Sequence, residues 1–131
     1  MDDDFAIVVA AGDLRSTDEG AWHLPHRWTA DGVTVEAVFT GAHLLHLATA
    51  GCILNDLYRE AVGLGIELDG VRVVAAGRFD TSTWASAGIG YTIQLNSTAS
   101  PDEQTHLVAL VDEVAEIPRA IRQGAPVRRD P

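Results

Sequence analysis

Residues His43 to Gly65 carry apolar side chains on nearly every helical face, and few folds can absorb such a segment. Leu44, Leu45, Leu47, Ala48, Ile53, Leu54, Leu57 and Ala61 recur at helical spacing and leave little room for a polar stripe. A helix of this kind is buried in a large core or in an oligomer interface. Spanning 43 to 65, it would run roughly 35 Å, too long to hide fully inside one small domain. The chain has 131 residues, which implies a single domain over 1–131. The expectation is a core helix shared with a second subunit. Near its middle lies the only cysteine, Cys52. Thr40 offers an N-cap, and Gly63 and Gly65 supply the stop.

Around this helix the sequence reads as strands. Phe5 to Gly12 is an apolar run ended by Gly12-Asp13, and a short strand around Trp22–Trp28 is interrupted by Pro25, which restricts it to an edge or a bulge. Asp31-Gly32 signals a hairpin turn, after which Val33, Val35, Ala37 and Phe39 alternate onto one face. Val71–Phe79 and Gly88–Asn96 form an antiparallel pair joined through Thr81 to Ala87. Ser100-Pro101-Asp102-Glu103 is a capping-box helix start, and Pro118 ends or kinks that helix before Gly124-Ala125-Pro126 closes it. Residues 128–131 read as a loose tail. Strands, long helix, strands, helix is an α+β order, with helices packed on antiparallel sheet.

Composition limits the function. A net charge of −10 disfavours nucleic acid or an anionic membrane as partner, because phosphate binding needs a basic face. The start, Met1-Asp2-Asp3-Asp4-Phe5, lacks a basic leader region, and no apolar run reaches membrane-spanning length. One cysteine cannot form an internal disulfide, which suits a reducing cytoplasm. No nucleotide loop or serine-nucleophile signature is present, and no cofactor is expected.

Three stretches carry a family likeness: Leu44-Leu45 through Ala48-Thr49-Ala50-Gly51-Cys52, then Gly65-Ile66-Glu67-Leu68-Asp69-Gly70-Val71, then Ser100 to Gly124 with Pro118. Together they resemble the OsmC/Ohr family of cysteine-based hydroperoxide reductases. The resemblance implies an OsmC-like α+β fold, with antiparallel sheets wrapped around two long helices in an intertwined homodimer. It also implies two active sites at the subunit interface, a small-molecule hydroperoxide as substrate and Cys52 as the peroxidatic residue. The family's activating glutamate would fall on Ala42, beside His43, and its resolving cysteine on Ile117. The activating arginine would be Arg15 or Arg27. Without a second cysteine, an external thiol must reduce the sulfenic acid.

The residues qualify this picture. Cys52 lies about three turns into its helix, beyond the reach of that helix's terminal dipole, so a thiolate needs a cation from elsewhere. A buried cysteine without one behaves as a small inert hydrophobe. Asn55 and Asp56 share the face of Cys52, and a charged Asp56 opposes thiolate formation. With His46 they would line a ligand pocket, while His43 could stand in for the absent glutamate. The pairs His23/His26 and His43/His46 lack convergent third and fourth ligands, so no metal site is assigned. The alternative to a peroxidase is a protein of the same fold that binds or transforms an apolar small molecule in the interface pocket.

Overall fold

The structure, a computed structural model, describes residues 4–131; the acidic Met1-Asp2-Asp3 start lies outside the described residues. Its strands are β1 (Ile7–Gly12), β2 (Trp22–Leu24), β3 (Val33–Glu36), β4 (Gly70–Phe79) and β5 (Ser86–Asn96). They form one antiparallel sheet in the order β2-β3-β1-β4-β5. The helices are α1 (Gly41–Leu64), α2 (Pro101–Val114) and α3 (Glu116–Gln123). Among the described residues no helix is long and apolar enough to cross a membrane.

The core lies between the sheet and α1. Ile7, Val9 and Ala11 of β1, Val35 of β3 and Val71, Val73 and Ala75 of β4 meet Ala50, Ile53, Leu54, Leu57 and Ala61 of α1. Leu107 and Val111 of α2 close the far side of the same cluster. The chain's own elements leave part of α1 uncovered: Ala48 and Val62 are exposed, and Leu44, Leu45 and Leu47 are half-buried. The apolar character read all round this helix therefore exceeds what one chain buries.

Local chemistry fixes the helix ends. Thr40 Oγ1 accepts the His43 N–H at 3.1 Å. Gly65, at φ 67°, ends α1 in the left-handed region that glycine tolerates without a Cβ clash. Gly63, expected to share in the stop, lies inside the helix. Ser100 and Glu103 form the expected capping box, each accepting the other's backbone N–H at 3.1 Å.

Two expected boundaries differ. β3 ends at Glu36, and Phe39 is 75% exposed, although the alternation runs on to it. The ladder of its neighbour β1 begins at Ile7, and Phe5 turns away at φ 51°, so residues 38 and 39 have no strand to pair with. The break before Pro118 falls at Ala115, which caps both α2 and α3. Pro118 cannot donate to Val114 as a continuing helix requires, but a proline fits the first turn of a new one.

Candidate functional site

That break at Ala115 has a chemical consequence. A helix start leaves its first N–H groups without intrahelical acceptors. In α3 the backbone N–H groups of Ile117 and Glu116 lie near enough to the sulfur of Cys52 to draw its pKa down. Cys52 is half-buried in mid-α1, remote from its own helix start, yet it faces the start of another. The family likeness had put a resolving sulfur at Ile117; the fold brings that residue to Cys52, but only its backbone interacts chemically.

Carboxylates complete the surroundings. The Cys52 thiol donates to Asp56 Oδ2 across 3.9 Å, long even for a sulfur donor. Burial pushes the thiol up to about 11; the Ile117 N–H draws it down, and the charges of Asp56 and Glu116 push it up. At neutral pH the isolated chain thus holds a protonated thiol.

Asp56 itself is fully buried, and its carboxylate is clamped: Asn55 Nδ2 donates to Oδ1 at 3.2 Å and Arg59 stands 3.1 Å from Oδ2. Burial raises its pKa above the usual carboxylate range, Asn55 and Arg59 lower it, and Glu116 raises it again. Arg59 also lies 3.9 Å from Glu116 and 3.5 Å from Glu60. Donor atoms of Cys52, Asp56 and Glu116 lie within 4.8 Å of one another, a spacing that could hold a metal ion. Arg59 supplies one positive charge to the two carboxylates, which leaves the set net negative when both are ionised. No histidine belongs to it.

The other residues singled out from sequence lie elsewhere. Arg15 donates to the Gly12 carbonyl at 3.1 Å and approaches Asp31 at 3.7 Å. Arg27 stacks over Trp28, 5.5 Å from the ring centre. Neither is among the groups acting on the Cys52 thiol within the chain. His43 is held by Thr40 Oγ1 at 2.6 Å and meets the Phe5 ring edge-on, at the helix start. His46 is fully buried; its Nδ1 donates to the Phe5 carbonyl at 2.9 Å, and its Nε2 lies against Gly77. His46 is therefore part of the core and does not sit with Cys52. His26 joins the site indirectly, 3.2 Å from Asn55 Oδ1. Arg59 was missed, although its place three residues after Asp56 puts it on the same helical face.

A half-enclosed cavity of about 210 Å³ is lined from α1, β5 and α3, though not by Cys52, Asp56 or Glu116 themselves. Its lining residue Thr49 lies one helical turn before Cys52, and Pro118 follows Ile117. Ile89, Ile121 and Tyr91 form apolar walls. At its mouth Tyr91 Oη donates to Asp112, which Arg122 also meets at 3.1 Å, pinning β5, α2 and α3 together. Arg122, in the last turn of α3, thus closes this pin.

No protein-family model matches the sequence, and no curated protein matches it. Among solved structures the chain is similar to an OsmC-like hydroperoxide resistance protein from Jannaschia sp. CCS1. The TM-score is 0.53 over 95% of this chain and 92% of that one, at 13% identity. The protein therefore has an OsmC-like α+β fold: among the described residues, a five-stranded antiparallel sheet packed with three helices.

Proposed function

We propose that the protein is a divergent member of the OsmC/Ohr family that reduces organic hydroperoxides through Cys52 as its single peroxidatic cysteine. An external thiol regenerates the enzyme. The observation that carries this reading is the half-buried Cys52 sulfur facing the α3 start, whose Ile117 and Glu116 N–H groups draw its pKa down; the 210 Å³ cavity is lined by Thr49, three residues before it, and by Pro118. Backbone N–H groups at a helix start stabilise a thiolate and its developing charge. The likeness to the Jannaschia protein supports the same reading.

The working form in this proposal is a cytoplasmic, intertwined homodimer. Its support is the uncovered part of α1 together with exposed Val62, Phe39 and Trp84. In the dimer the cation that the single chain does not bring to Cys52 comes from Arg15 or Arg27 of a second copy, and the two long helices pack together. Turnover of cumene hydroperoxide with dithiothreitol tests the reading. Activity well above that of Cys52→Ser is expected; equal rates would contradict it.

A second reading is favoured by one observation, the half-buried thiol with the Asp56 and Glu116 carboxylates beside it, where burial first and those charges after it push the thiol up to about 11. Cys52 is then silent, and the cavity binds a small apolar molecule. Under that reading Cys52→Ser retains ligand binding, and calorimetry with short-chain alcohols or alkyl ketones separates the cases.

A further inference from the structure

A thiol flanked by carboxylates is a poor nucleophile on electrostatic grounds, yet one of those carboxylates is placed as no surface acid is. Asp56 is fully buried, touches the sulfur at 3.9 Å, and is held in orientation by Asn55 and Arg59. Glu116, the other acid, is mostly exposed, with its side chain 64% accessible. The charged or titratable groups facing Asp56 are Cys52 and Arg59 on its own helix and Glu116 on α3, with His26 reached through Asn55.

Hydroperoxide reduction needs two proton movements. The thiol must lose its proton as sulfur attacks, and the alkoxide released when the O–O bond breaks must gain one. A group that does both has to sit within reach of the sulfur and bind a proton neither too weakly nor too tightly. Resting on the peroxidase reading above, we infer that Asp56 is the proton-transfer partner of Cys52, taking the thiol proton and returning it to the departing alkoxide. The S–O bond forms to the outer peroxide oxygen and the O–O bond breaks. Sulfur is oxidised by two electrons to sulfenic acid, and the peroxide leaves as an alcohol carrying the proton from Asp56. The 3.9 Å separation is that of a resting site; such contacts tighten when substrate is bound. The burial that lifts Asp56 above ordinary carboxylates also makes it a better base, while Arg59 keeps it from staying protonated.

The inference separates two reactions of one sulfur. Alkylation by iodoacetamide expels iodide, which needs no proton; hydroperoxide reduction expels an alkoxide, which does. Asp56→Asn removes a negative charge beside the thiol while preserving shape; its one amide oxygen still accepts from Asn55 or Arg59, though not from both. Its alkylation should match or exceed that of the unsubstituted protein, whereas sulfenic acid formation with cumene hydroperoxide, trapped with dimedone, should fall about a hundredfold. Asp56→Glu keeps a carboxylate and should oxidise faster than Asp56→Asn. Oxidation of Asp56→Asn that keeps pace with its alkylation, or equal oxidation of the Asn and Glu variants, would overturn the inference. If the unsubstituted protein itself is not oxidised, the peroxidase reading fails first and takes this role with it.

Discussion

Two aspartates of this protein each meet an arginine at 3.1 Å, and their proton affinities move in opposite directions. Asp56 on α1 is raised, chiefly by burial; Asp112 on α2 is lowered, chiefly by the Tyr91 hydroxyl that donates to it. The partner is the same, so the arginine does not decide the outcome. Asp56 is wholly enclosed, while Asp112 keeps half of its side chain in water. Desolvation penalises the charged form more than one half-exposed guanidinium restores, whereas a solvated carboxylate with two donors keeps its charge easily. One site thereby gains a carboxylate able to exchange a proton with a sulfur, and the other a static pin across three elements.

The sharpest way to break this contrast is to remove each arginine's partnership. Arg59→Ala leaves Asp56 buried without its cation. Losing one member of a fully buried pair costs about 3–5 kcal/mol, and the 37% exposure of Arg59 reduces the expectation to about 2 kcal/mol, readable by urea unfolding. The same variant should slow iodoacetamide alkylation, since the charges of Asp56 and Glu116 are then less neutralised at the sulfur. Tyr91→Phe deletes the hydroxyl bond to Asp112 and should cost about 1 kcal/mol without changing the alkylation rate. Arg122→Gln comes last, at under about 1 kcal/mol, because its pair with Asp112 is exposed on both sides.

Acid titration of stability gives the two aspartates opposite signs. The folded state binds the Asp56 proton more tightly than the unfolded chain does. Its contribution is therefore full below the ordinary aspartate value of about 4 and is lost as pH rises through the folded value. Asp112 has a depressed folded value, so its contribution is full above about 4 and is lost as pH falls through that lower value. Asp56→Asn should remove the first slope and Asp112→Asn the second, in unfolding experiments across that range. Slopes of the same sign in both variants would collapse the distinction.

The parts of the fold visible in the sequence were those set by local chemistry. Thr40, Gly65 and the Ser100–Glu103 box mark helix ends by hydrogen bonds and backbone angles acting within a few residues. Phe39 misled because alternation reports side-chain character, whereas the end of a strand depends on its neighbour's ladder. In the site, Cys52, Asn55 and Asp56 were legible from helical spacing, and Arg59 was within reach of the same argument. The approach of the α3 start to Cys52 was implied by the family likeness at Ile117 and not by helical spacing, because it joins residues 52 and 117 through packing alone. The histidine pairs look alike as motifs, yet His46 is enclosed against Phe5 while His43 stays at the helix start, a difference that depends on the path of the chain before β1.

Both the proton-transfer role and the peroxidase reading require the Cys52 sulfur to take an oxygen atom from a hydroperoxide. Intact-mass measurement after one equivalent of cumene hydroperoxide, with dimedone present, tests this directly. A single dimedone adduct that maps to Cys52 and is absent from Cys52→Ser is expected. An unmodified Cys52, under conditions that oxidise a known thiol peroxidase, would contradict it.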